Sequence, residues 1–129
     1  MGAVVLIDTN VLIDVERDVE RAIACVESLE NQAQLAISVI TEMEMIVGCR
    51  DKKELRILQH FLQRFEVYPL TPPIAQIALD LLKQYNLSHG LLIADALIAA
   101  TALTFQIPLV SGNQRDFQCI EGLEQISYP

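Results

Sequence analysis

The chain has 129 residues, 52% of them hydrophobic, which is the composition of one compact domain (1–129) with a substantial core. Its longest apolar stretch, Leu91 to Leu103, is broken by Asp95 and Thr101 and falls short of the roughly 20 residues a membrane helix needs. The formal net charge of −8 argues against a broad basic footprint for phosphates, and fits a cluster of metal-binding carboxylates or a basic protein partner.

Taken in chain order, Val4-Val5-Leu6-Ile7 reads as a short, fully buried strand of a parallel sheet, and it runs straight into Asp8-Thr9-Asn10. Asp18 is placed to cap a helix in which Val19, Ala22, Ile23, Val26 and Leu29 share a face. Leu35 to Ile40 reads as a second strand, and Thr41 as the start of a helix that ends near Gly48. Leu55, Leu58, Leu62 and Phe65 mark another amphipathic helix, followed by a short strand around Glu66–Leu70. Thr71-Pro72-Pro73 opens a helix whose core face is Ile74, Ile77, Ala78, Leu81, Leu82 and Tyr85. Ser88-His89-Gly90 reads as a loop leading to the alanine-rich helix around Asp95. Ile107 to Val110 is the next strand, followed by the turn Ser111-Gly112-Asn113 and by Asp116-Phe117, with a last strand near Leu123–Ile126. Strands alternating with helices predict an α/β fold of three layers with a mostly parallel sheet. The N-terminus lacks the basic region and cleavage site of a signal peptide, so a cytoplasmic protein without a membrane partner is expected. Cys25, Cys49 and Cys119 are odd in number and widely spaced, and read as reduced thiols.

Four acids stand out against this frame. Asp8 lies at a strand carboxyl end with no Lys or Arg near it in sequence, in the region where open α/β sheets bind ligands. Its carboxylate needs a donor or a cation, because isolated burial costs several kcal/mol or more. Asp95 is the lone charge in Leu91–Ala100, a run apolar nearly all round and therefore expected to be buried. A helix N-terminus favours it by only about 0.3–1 kcal/mol, less than its desolvation cost. Glu44 follows the second strand, with Glu42 as its competitor. Thr41-Glu42-Met43-Glu44 is also a capping-box pattern, and Met43, Ile46 and Val47 are expected to face the core. Asp116 follows the strand Ile107–Val110, with Asn113 placed to bond a carboxylate or hold the loop. Acids delivered to one sheet edge can surround Mg²⁺ or Mn²⁺, hard cations that favour oxygen ligands and need no histidine cluster. His60 reads as a surface residue and His89 as a loop residue ahead of Asp95.

The pieces Asp8-Thr9-Asn10-Val11-Leu12-Ile13, Ile37-Ser38-Val39-Ile40-Thr41 with Glu44 and Gly48, Asp95 to Ala102, and Val110-Ser111-Gly112-Asn113 with Asp116-Phe117 occur in this order along nearly the whole chain. In these motifs the sequence resembles the PIN-domain ribonucleases, and among them the VapC-type toxins of toxin–antitoxin pairs. The glutamate four residues before the glycine is the family's acid, which favours Glu44 over Glu42. The resemblance implies a parallel sheet flanked by helices and Mg²⁺- or Mn²⁺-dependent cleavage of RNA. It makes Asp8, Glu44, Asp95 and Asp116 the catalytic metal ligands, with Thr9, Asn10, Ser111 and Asn113 in support. It also implies a homodimer and inhibition by a small antitoxin with a basic segment. Ser111 stands where many relatives carry threonine, and the segment Asn86–Gly90 lacks the basic residues often found there. Arg50, Lys52, Lys53 and Arg56 form the main basic cluster, an arrangement usual on a solvated face.

Other readings of the first strand fail on their second residue. A haloacid-dehalogenase-like phosphatase needs an aspartate two positions after the first, and that position is Asn10. A stand-alone PIN nuclease of RNA maturation, or a PIN subunit that only binds protein, is the alternative within the fold. A binding-only copy would be expected to have lost an acid, and none is lost here.

Overall fold

A computed structural model describes residues 3–128. The order of elements is β1 (Val4–Ile7), α1 (Thr9–Glu16), α2 (Glu20–Glu30), β2 (Gln34–Ser38), α3 (Val39–Val47), α4 (Lys52–Leu62), β3 (Glu66–Tyr68), α5 (Pro72–His89), α6 (Ile93–Phe105), β4 (Leu109–Ser111), α7 (Gln114–Phe117) and β5 (Gln125–Ser127). The strands form one sheet in the order β3-β2-β1-β4-β5, and every neighbouring pair is parallel.

Strand periodicity divides the core. Leu6, Ala36 and Leu109 point to one side of the sheet, where they meet Ile74, Ala78, Ala99 and Phe117 from the helical layer of α5, α6 and α7. Val5, Ile7, Leu35, Ile37 and Val110 point to the other, against Val11, Leu12, Val26 and Leu58 from α1, α2 and α4. The two-residue alternation of β1, β2 and β4 therefore feeds two cores, which is why these inner strands are mostly apolar on both faces. No helix among the described residues is long and apolar enough to cross a membrane.

The chain runs outward from β1 to β2 and β3, then returns to lay β4 on the other flank of β1. The reversal leaves a crevice outside the carboxyl ends of β1 and β4, the place where such sheets bind their ligands. Asp8 follows β1 and Ser111 ends β4, so both face this crevice from adjacent strands.

Several local expectations are corrected. Asp18 does not cap α2: it takes a left-handed turn conformation (φ 59°), and Val19 precedes the helix without a side-chain bond. The second strand stops at Ser38, because the Ser38 hydroxyl accepts the Ile40 amide proton at 3.0 Å and starts α3 two residues before Thr41. The Thr41–Glu44 capping box consequently does not form. Met43, Ile46 and Val47 are exposed, Val47 by 84%, and α3 instead buries Thr41 and Met45. Ser88 and His89 are not in a loop; α5 continues through them to Gly90, whose φ of +72° ends the helix. Leu92 and Ile93 are exposed, so the helix of Asp95 is buried only from its second turn onward. His60 is exposed, as its sequence context indicates.

Candidate active site

Asp8 is 3% exposed, and α1 begins immediately after it. Its Oδ1 accepts the Thr9 amide proton at 2.8 Å, capping the helix, and its Oδ2 accepts the Ser111 hydroxyl proton at 2.6 Å. Burial is the largest influence on this carboxyl and raises its pKa. The Ser111 and Thr9 bonds oppose that rise, while the charges of Glu44 and Asp116 add to it.

Thr9 joins the first acid to the second. Its hydroxyl donates to Glu44 Oε1 at 2.6 Å and is hydrogen-bonded to the Thr41 hydroxyl at 2.9 Å. Glu44 thus turns toward Asp8 through Thr9, which Glu42 does not. Thr41 is fully buried inside α3 beneath this contact. Its role escapes a sequence reading that takes it for a cap; the signal was its place one turn before Glu44 on the same helix.

Asp95 sits in the first turn of α6, half-buried. Its pKa is pushed up to about 6, first by burial and then by the charges of Asp8, Asp116 and Glu44. Asp116 lies exposed on the short helix α7. Glu44 and Asp116 therefore act electrostatically on Asp8, and all three act on Asp95.

The supporting polar residues hold the crevice walls. Ser111 is fully buried; while its hydroxyl donates to Asp8, its oxygen accepts the Asn113 amide proton at 2.9 Å. Asn10 accepts the Gly112 amide proton on its Oδ1 at 3.2 Å, linking α1 to the turn after β4. Asn113 acts through its backbone, and its carbonyl accepts the Asp116 amide proton at 3.0 Å. His89 is exposed, at the end of α5, and its Nδ1 is hydrogen-bonded to the Ser88 hydroxyl at 2.7 Å.

The donor set suits a hard divalent ion. It consists of carboxylates, and at Asp95 burial first and the charges of Asp8, Asp116 and Glu44 second push the pKa up to about 6. Among the described residues, no group of three or more His, Cys, Asp or Glu side chains is drawn together as a ready-made chelate.

Fold and site together define a parallel α/β protein with an acidic crevice at its topological switch point. A PIN-domain family model matches residues 5–123. Over 121 residues the chain is 36% identical to ribonuclease VapC10 of Mycobacterium tuberculosis, covering 93% of this chain and 90% of that protein. A toxin–antitoxin complex from Klebsiella pneumoniae contains a chain that superimposes with a TM-score of 0.79 at 31% identity, over 92% of this chain and 94% of that one. VapBC2 from Rickettsia felis, crystallised with a DNA fragment from its promoter, shares the fold with a TM-score of 0.83 at 23% identity, over 98% of this chain and 100% of that one. The chain belongs to the PIN-domain family.

Proposed function

We propose that this chain is a metal-dependent endoribonuclease, one nuclease domain that serves as the toxin of a toxin–antitoxin pair. The observation that carries the reading is the acidic crevice itself, where the charges of Glu44 and Asp116 bear on Asp8, and those of Asp8, Asp116 and Glu44 bear on Asp95. The relatives named ribonuclease and the toxin–antitoxin complex of like fold support it.

In this reading Asp8, Glu44, Asp95 and Asp116 hold Mg²⁺ or Mn²⁺. The bound ion supplies an activated water and stabilises the charge on the phosphodiester in the transition state. Asp8 is the anchor, because Ser111 and Thr9 fix both its oxygens. Glu44 is held from the α3 side by Thr9, and Asp95 and Asp116 complete the acidic lining. The ribose hydroxyl needs no protein base, since water is the nucleophile.

A cleft of about 440 Å³ opens beside Glu44, where Ile13, Met45 and Ile57 supply apolar walls, Glu16 and Arg17 supply charge of both signs, and Glu54 is paired with Arg50 at 2.7 Å. It suits an antitoxin segment that buries apolar side chains and brings an arginine to the acids, where bidentate bonds to carboxylate replace the ion's charge. Exposed Leu87, Leu92 and Ile93, where α5 meets α6, suit a homodimer contact.

The test is cleavage of single-stranded and structured RNAs by protein freed of any antitoxin. Cutting is expected with Mg²⁺ or Mn²⁺ and is expected to stop with EDTA and in Asp8→Asn. Full activity in chelator overturns the metal mechanism.

A further inference from the structure

We propose that Tyr128 is a positioning residue for the acidic crevice: it fastens the Ser111–Asn113 turn and the start of α7 to α1, and so fixes Asp8 and Asp116 relative to each other. The inference rests on the metal-binding role proposed above for those acids.

Tyr128 follows the last strand, yet it is only 7% exposed. Three parts of the residue reach three elements. Its hydroxyl donates to Asp14 Oδ2 at 2.7 Å, on the helix that Asp8 caps. Its ring lies on Gly112: a Cβ at that position would stand 3.2 Å from Tyr128 Cδ2 and 3.4 Å from Cε2, tighter than an ordinary contact. Glycine is what lets the ring settle directly on the turn that follows Ser111. Its carbonyl accepts a long bond of 3.4 Å from Gln114 Nε2, at the first residue of α7. Gln125 Nε2 returns a bond of 3.2 Å to the Gln114 carbonyl, and Ser127 pairs with Ser111 in the sheet.

Each contact ends on a segment that carries a site residue. The α1 contact bears on Asp8, the turn contact on Ser111 and Asn113, and the α7 contacts on Asp116. Ser111 is the sensitive member, because its hydroxyl must stay 2.6 Å from Asp8 Oδ2 while accepting from Asn113. Metal–ligand distances tolerate only about 0.2 Å, so a turn released from Tyr128 disturbs the carboxylates well before it unfolds anything.

The test uses the full chain and reads metal binding without turnover. Tyr128→Phe keeps the ring and loses the hydroxyl bond. The Mn²⁺ concentration for half-maximal thermal stabilisation is expected to rise by roughly fivefold, and kcat on a fluorophore-labelled single-stranded RNA pool to fall comparably with KM unchanged. Asp14→Leu is expected to reproduce the effect, Asp14→Asn, which keeps an acceptor oxygen, to restore most of the loss, and the double variant Tyr128→Phe/Asp14→Leu to be no worse than either single one. Gly112→Ala, which displaces the ring without removing the hydroxyl, is expected to raise the Mn²⁺ midpoint as well. A lower Tm in EDTA with an unchanged Mn²⁺ midpoint in both Tyr128→Phe and Gly112→Ala overturns the proposal, since a purely structural contact gives that result. If wild-type protein is stabilised by Mn²⁺ but leaves RNA intact, the ribonuclease reading fails while the midpoint still decides the role of Tyr128.

Discussion

Asp95 is the residue at which the design of the site can be read in a melting curve. In the unfolded chain its carboxyl has the ordinary value of 3.8, and in the fold it rises to about 6, so between those pH values the folded state holds a proton that the unfolded state has released. Stability without metal is therefore expected to fall as pH rises through that window. Asp95→Asn is expected to flatten the fall and to match or exceed wild type at pH 7 in EDTA, while gaining less from Mn²⁺. Denaturation at pH 5 and pH 7, with and without Mn²⁺, measures both effects; a variant that is weaker in EDTA with an undiminished Mn²⁺ response makes Asp95 a structural acid. Ser111 gives a second test at this scale. Ser111→Ala removes a side-chain donor to Asp8, and if Asp8 holds the metal as proposed the loss in metal affinity or activity is expected to be about tenfold or more. Glu44→Gln is expected to reduce cleavage more than Glu42→Gln, because Glu44 is the one bonded through Thr9.

The elements were legible to the degree that their signals were local. Periodicity and the paired prolines located α5 at its N-terminal end, and the apolar run located β1 to the residue. Asp8 was legible because burial at a strand end leaves a carboxylate few options. The preference for Glu44 over Glu42 came from its place four residues before Gly48, whereas the core face expected of its helix was wrong: Met43, Ile46 and Val47 face outward. The physical cause is the Ser38 cap. By starting α3 at Val39, it rotates which residues meet the sheet, and a one-residue change in helix start turns each side chain by about 100° around the axis. The strands β4 and β5 have three residues each, too few for a pattern to set their bounds, and the Tyr128–Asp14 bond joins chain positions more than a hundred residues apart. At this scale Gly90→Ala isolates a cap. Nothing lies within 4 Å of an added Cβ there, so the loss is expected to be backbone strain alone, about 1–2 kcal/mol by denaturant titration.

For the molecule as a whole, charge decides how partners approach. A net charge of −8 repels a polyanion at distance, so the encounter with RNA is expected to quicken as salt rises from low to moderate levels. Capture of a basic antitoxin segment has the opposite sign, and its association rate is expected to fall over the same range. Stopped-flow association of both partners at several salt concentrations checks the pair of slopes; equal signs contradict the assignment of an acidic docking face.

The pairing of β1 with β4 also sets an order in time. Asp8 meets Ser111 across 103 positions of chain, and β4 takes its own outer neighbour only from Gln125–Ser127. A ribosome that has released the first strand still holds the donor that completes it, because contacts of such separation wait for all the chain between them. The crevice wall around Asp8 therefore takes its described form only after Ser111 has reached Asp8 and Ser127 has paired with Ser111.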